Sequence, residues 1–196
     1  MIRLLLVDDH PPARQKAAAD LSAGDLIEII AEAETSDEAY KLSKSLLPHV
    51  VLLDLHLPGL ITTPDLVKKL AALTNVRVVM FASQSKASEV QDYLDYGAAA
   101  YVLKDDPPAL LRMSILMVSR GSQGIVSPML PKNLLRLSAQ ERNILREIGR
   151  RGGIPKAAER MGLTEYDLNQ ILFHIGGKLE IEEIDKLAKW AKKNGF

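Results

Sequence analysis

The chain has 196 residues, 47% hydrophobic and 26% charged, with 25 Lys plus Arg against 25 Asp plus Glu, a length that holds one medium domain and one small one. No stretch approaches the roughly 20 apolar residues of a membrane span, and without cysteine disulfides and thiolate metal sites are excluded. Met1 to Val7 is a short apolar run ending in Asp8 and Asp9, without the basic start of a signal peptide, so a soluble, cytoplasmic protein is expected.

The first two thirds alternate short β-rich apolar runs with longer stretches of helical period, the pattern of a parallel sheet with crossover helices. Strands are expected at Ile2–Val7, Ile27–Ala33, Val50–Leu53, 76–81 and Ala100–Leu103, and helices near 13–21, 37–46, 64–73, 88–96 and 107–119. The strands are continuously apolar, which fits burial on both faces of a five-stranded, doubly wound α/β sheet. Residues 121–134 hold two glycines and two prolines without helical period and read as a linker. Four helix-sized segments follow, at 139–150, 154–161, 165–175 and 182–194, the first opened by Ser138 with Glu141 three residues on, a capping box. The expected domains are thus 1–120 and a small all-α unit at 135–196. Residues 1–128 carry a charge of −4 and 129–196 a charge of +4, so the C-terminal part permits contact with nucleic acid.

Asp8 and Asp9 follow the first strand, Asp54 ends the third and Lys104 follows the fifth. Residues just beyond the carboxyl ends of neighbouring parallel strands converge on one crevice. Three carboxylates held together repel, and a hard divalent cation relieves that repulsion. Mg²⁺ on Asp8, Asp9 and Asp54, with the backbone carbonyl of His56 as a further ligand, is the expected centre. It suits phosphoryl transfer to Asp54 as nucleophile, with Lys104 stabilising the transferred group. Asp54-Leu55-His56 has no second aspartate two residues on to act as general acid, which argues against a phosphatase. His10 and His56 read as a polar rim and His49 as a loop residue.

Leu4-Leu5-Leu6-Val7-Asp8-Asp9-His10-Pro11, Arg14, Val51-Leu52-Leu53-Asp54-Leu55 with Leu57-Pro58-Gly59, and Gly97-Ala98 with Tyr101-Val102-Leu103-Lys104-Asp105 resemble the receiver signatures of NarL/FixJ-type two-component response regulators. The resemblance implies a flavodoxin-like fold, Mg²⁺-dependent phosphorylation of Asp54 by a histidine kinase, and a switch on the face containing Tyr101. Two departures stand out. The family's Thr or Ser that hydrogen-bonds the phosphoryl group falls on Ala82, which cannot make that bond, so either Ser83 beside it substitutes or the phosphorylation-coupled switch is weakened. Leu60 to Pro64 replaces the family's common acidic-glycine turn and is expected only to reshape a loop.

From Leu137 onward, Leu137 to Arg142, Ile144-Leu145, Ala157 to Thr164 and a final amphipathic helix resemble the LuxR-type helix-turn-helix domain. The resemblance implies DNA binding as a homodimer, with Met161-Gly162-Leu163-Thr164 as the turn and base-contacting positions on Asn169, Gln170 and Phe173. Gly162 suits a left-handed turn position and Thr164 an N-cap. The recognition segment departs from the family: before Lys178 it carries Glu165 and Asp167 but no lysine or arginine. Arg150, Arg151, Lys156 and Lys178 are the candidate phosphate contacts that compensate. Gly176-Gly177 is expected to end this helix. Ile171, Leu172, Ile175, Leu187 and Trp190 read as core, and the last helix as a further candidate dimer face. Two readings stay open: a DNA-binding transcription regulator, and a regulator whose altered helix-turn-helix frame docks a protein.

Overall fold

A computed structural model describes residues 1–22, 24–83, 87–130, 137–150 and 152–196. In chain order these form β1 (Ile2–Val7), α1 (Pro11–Ser22), β2 (Ile27–Ala33), α2 (Ser36–Leu46), β3 (Val50–Leu53), α3 (Thr63–Ala71), β4 (Arg77–Ala82), α4 (Ala87–Asp95), β5 (Ala100–Leu103), α5 (Pro108–Ser119), β6 (Ile125–Val126), α6 (Ala139–Gly149), α7 (Gly153–Met161), α8 (Glu165–Leu179) and α9 (Ile184–Lys193). The chain divides into two compact units, Met1–Ser85 with Asp92–Met129, and Lys86–Gln91 with Leu130–Phe196.

The sheet runs β2-β1-β3-β4-β5-β6, with every pairing parallel. The chain leaves β1 toward β2 and then crosses back to β3, so the order reverses between β1 and β3, where a crevice opens at the strand ends. Leu4, Leu6, Val50, Leu52, Val79 and Val102 pack with Leu21 of α1 and Leu111, Ile115 and Val118 of α5. The alternating strand residues Leu5, Val51, Leu53, Val78 and Met80 are equally buried, as are Leu66, Val67 and Leu70 of α3. Burial on both faces explains why β1, β3, β4 and β5 read as apolar runs, whereas edge strand β2, expected to be continuously apolar as well, exposes Glu28 and Glu32.

The sheet has a sixth strand where a linker was expected. Ile125 and Val126 pair with Ala100 and Tyr101 of β5. Ser127 continues the edge: its N–H donates to Tyr101 O at 2.9 Å, and its hydroxyl donates to Oδ1 of Asp106 at 2.8 Å. The rest of the expected linker and the start of the C-terminal domain, 131–136, lie outside the described residues, as does Arg151.

In the C-terminal helices, Ser138 and Glu141 form the expected capping box. Gly162 turns in the left-handed region at φ 66°, and the Thr164 hydroxyl accepts the N–H of Asp167 at 3.1 Å, capping α8. Leu145, Leu168, Leu172, Ile175 and Leu187 fill the core, with Ile171 and Trp190 partly buried against it. Trp190 is therefore less enclosed than expected; it stacks on Phe196 at 5.8 Å. Contrary to expectation, α8 runs through Gly176 and Gly177 to Leu179. A Cβ on Gly176 would lie 2.4 Å from Ile181 O, so this glycine admits a close backbone approach rather than stopping the helix.

Candidate functional site

The loops after β1, β3 and β5 deliver Asp8, Asp9, Asp54 and Lys104 to the crevice at the β1/β3 reversal. One ligand atom from each of Asp8, Asp9 and Asp54 lies within 4.8 Å of the others. Asp8 and Asp54 are buried, at 1% and 8% exposure, and Asp9 is exposed. Lys104 Nζ sits 2.6 Å from Asp8 Oδ2 and 2.7 Å from Asp54 Oδ1. Burial pulls the Lys104 ammonium down, but hydrogen bonds and charge from Asp54 and Asp8 outweigh it, so its pKa lies above the ordinary value. One ammonium against three carboxylates leaves two negative charges, and every donor is an oxygen, the chemistry of a hard divalent cation site.

Backbone geometry fixes the carboxylates. The N–H of His10 donates to Asp8 Oδ1 at 2.9 Å and that of His56 to Asp54 Oδ2 at 3.1 Å, each bond spanning two residues as in an Asx turn. Arg14 donates to the Asp8 carbonyl at 2.6 Å while pairing with Glu32 and Glu34, which anchors the loop after β1. The His10 and His56 side chains are exposed at the rim, as expected. On the loop after β3, Pro58 O accepts the Ser36 N–H at 2.9 Å. Gly59, at φ 138°, lies where a Cβ would meet Ser36 Oγ at 2.1 Å. The altered Leu60–Pro64 stretch leads into α3, with Thr62 as N-cap and Pro64 in the first turn.

Ala82 is fully buried at the end of β4, where its carbonyl accepts the Lys104 N–H at 2.8 Å. Ser83, one residue on, is exposed and lines the same cleft as Asp8, Asp9, Asp54, His56 and Lys104. Tyr101 is fully buried, its ring 6.3 Å from that of Tyr93.

In the C-terminal helices, Asn169 is partly exposed and Gln170 and Phe173 are exposed on α8. Tyr166, which sequence reasoning passed over, stands 72% exposed on the same stripe, two turns before Phe173 at 70%. Its spacing of four from Gln170 and seven from Phe173 was the available signal. Of the basic residues expected to grip phosphates, Arg151 lies outside the described residues and the other three are already engaged, as is Arg160. Lys178 Nζ lies 2.7 Å from Glu141 Oε1, Lys156 Nζ 3.0 Å from Glu159, and Arg150 and Arg160 lie 2.6 and 2.7 Å from Glu147. The hydrogen bond from Arg160 and the charges of both arginines outweigh burial and hold the Glu147 carboxyl below its ordinary value.

The chain matches the response regulator receiver domain family over residues 4–115. It is 27% identical to the nitrate/nitrite response regulator protein NarL of Escherichia coli (strain K12), covering 95% of this chain and 93% of that one. It is also 27% identical to the transcriptional regulatory protein LiaR of Bacillus subtilis (strain 168), over 99% and 98% of the two chains. Among solved structures, RcsB of Salmonella enterica serovar Typhimurium, bound to promoter rprA in the presence of the phosphomimetic BeF3-, aligns over 97% of this chain and 98% of its own. The TM-score is 0.67 and the identity 20%, a likeness of fold.

Proposed function

The chain belongs to the response regulator receiver family, and on that premise we propose that it is a NarL-type two-component response regulator that controls transcription by binding DNA. Asp54 accepts a phosphoryl group from a histidine kinase: its carboxylate oxygen forms the new O–P bond as the donor's P–N bond breaks. Mg²⁺ held by Asp8, Asp9, Asp54 and the His56 carbonyl supplies neutralisation of phosphoryl oxygens. Lys104 contacts the transferred group from the β5 side, and Ser83, from the β4 end, supplies the hydroxyl that Ala82 lacks. Tyr101 belongs to the responding face. The regulator works in the cytoplasm as a homodimer on paired half-sites. Residues 1–120 form the receiver, 121–134 the connection and 135–196 the helix-turn-helix domain. There α8 is the recognition helix, Asn169, Gln170 and Phe173 face bases, and Lys156, Thr164 and Lys178 face the backbone.

The observation that carries this reading is the buried Asp54, 2.7 Å from Lys104 and clustered with Asp8 and Asp9. Its test is binding of the full-length protein to a genomic DNA pool at low salt, with and without beryllofluoride plus Mg²⁺. Specific enrichment that grows with the mimic is expected. No enrichment in either state, from folded protein, would overturn it.

A second reading, docking of a protein by the C-terminal domain, is favoured by one observation: Lys156, Lys178, Arg150 and Arg160 are each paired with a carboxylate of the same domain. Loss of all duplex binding at low salt would move the reading to it.

A further inference from the structure

We propose that α8 reads A·T base pairs through an uncharged stripe of Tyr166, Asn169, Gln170 and Phe173, so that the target half-site has an A·T core; this rests on the DNA-binding reading above. Leu168, Leu172, Ile175 and Leu179 are buried at spacings of four, three and four, which turns the opposite side outward. On that side lie Tyr166, Gln170, Phe173 and Gly177 at the same spacings, with Asn169 alongside. Tyr166 and Phe173 are about 10 Å apart along the axis at 1.5 Å per residue, a reach of roughly three base pairs.

The chemistry of the stripe is selective. Guanine is read in the major groove chiefly by bidentate Arg or Lys, and the stripe has neither. Asn and Gln amides match the paired N7 acceptor and N6 donor of adenine, and an apolar ring meets the thymine methyl. Here two amides lie between two exposed rings, so one face offers both contacts to adjacent A·T pairs. Asp167 lies roughly 90° off the line of Tyr166, Gln170 and Phe173, its carboxylate held by the Thr164 hydroxyl at 2.7 Å, while Glu165, four residues before Asn169, borders the stripe on the Asn169 side. Gly177 ends the stripe with open space around the position a Cβ would take, which leaves room for the groove wall. An apolar protein groove would accept the rings but leave the amides without partners; base edges satisfy both.

The experiment is selection of duplexes from a random pool by the full-length protein with beryllofluoride and Mg²⁺, followed by affinity measurements on base analogues. An enriched half-site with adjacent A·T pairs is expected. Replacing a contacted adenine by 7-deaza-adenine, or a contacted thymine by uracil, should weaken binding roughly 10-fold. Asn169→Ala and Gln170→Ala, both accommodated by a helix, should each erase discrimination at one position. Phe173→Ala should erase the thymine–uracil difference. A G·C core, or discrimination unchanged in these variants, would overturn the A·T assignment while leaving DNA binding intact. No enrichment at all would overturn both.

Discussion

Glu141, in the first turn of α6, and Lys178, in the last turn of α8, meet at 2.7 Å between Oε1 and Nζ. The other carboxylate oxygen, Oε2, accepts the Ser138 N–H at 2.7 Å, so one side chain closes the capping box and ties two helices together. Burial pushes the Glu141 carboxyl up, but the Lys178 and Ser138 hydrogen bonds outweigh it and hold it below 4.5, its ordinary value. A carboxylate with a depressed folded pKa contributes stability above its unfolded pKa and loses it as pH falls through the folded value. The C-terminal helices should therefore lose this contribution below about pH 4.5. Glu141→Gln keeps the capping geometry but removes the charge, and should cost about 0.5–1 kcal/mol at pH 7. Urea unfolding at pH 7 and pH 3.5 checks this: the gap between wild type and variant should narrow at the lower pH.

Pairing of the basic residues sets a second expectation, on salt. Each phosphate neutralised contributes a slope of about −0.9 to log K against log salt. A lysine that leaves a carboxylate for a phosphate leaves a negative charge beside the DNA, so its net gain is small. The salt dependence of duplex binding should therefore be shallower than about −4 for a dimer. Glu141→Gln, by releasing Lys178, should steepen it by roughly one unit per domain. A salt titration by fluorescence anisotropy measures both; a wild-type slope near −8 would contradict the pairing argument.

The adjacent glycines of α8 should respond oppositely to alanine. Gly176→Ala places a Cβ 2.4 Å from the Ile181 carbonyl, a backbone atom, whereas Gly177→Ala meets nothing within 4 Å. Gly176→Ala should destabilise by about 1–3 kcal/mol, and Gly177→Ala should stabilise by about 0.5–1 kcal/mol. Thermal unfolding of the two variants decides it.

These glycines also show where sequence reading falls short. Local propensity reads Gly-Gly as a helix stop, but Gly176 is set by contact with the segment after the helix, which propensity does not contain. The pairing of Glu141 with Lys178 spans 37 residues and is equally invisible to local pattern, so the sequence alone shows Lys178 without its carboxylate. By contrast, β1, β3, β4 and β5 were legible because both faces are buried, β2 because its isoleucines mark a strand even at the half-exposed edge of the sheet, and the carboxylate cluster because strand-end residues converge at a reversal of strand order. Ser83 could be placed beside the cluster only as an alternative to Ala82, since the direction a strand-end loop takes is a tertiary matter.

Ser83 lines the cleft with Asp54 and Lys104, while Ala82 is fully buried. If Ser83 supplies the phosphoryl-contacting hydroxyl, Ser83→Ala should weaken beryllofluoride binding by roughly 10–150-fold, the worth of one hydrogen bond to a charged group. Asp54→Asn should abolish it. NMR titration with beryllofluoride and Mg²⁺ measures both, and unchanged affinity in Ser83→Ala would assign the contact elsewhere.

The last expectation concerns β6. Asp106 is 7% exposed and Ser127 fully buried. The Asp106 carboxylate accepts the Leu103 N–H at Oδ2, 2.9 Å, and the Ser127 hydroxyl at Oδ1, 2.8 Å. The Ser127 oxygen in turn accepts the Met129 N–H at 3.2 Å. A two-residue strand is too short to hold an edge alone, so this buried pair fastens β6 to the end of β5. Ser127→Ala removes a donor from a buried carboxylate and should cost about 1–3 kcal/mol. Asp106→Asn, which keeps an acceptor in place, should cost less. If the strand depends on this pair, amide exchange at Ile125 and at Ser127, whose N–H groups bond Ala99 O and Tyr101 O, should accelerate at least 10-fold in Ser127→Ala while that of β1 and β3 changes little. Uniform acceleration across the sheet would instead make β6 part of one cooperative unit with the strands before it.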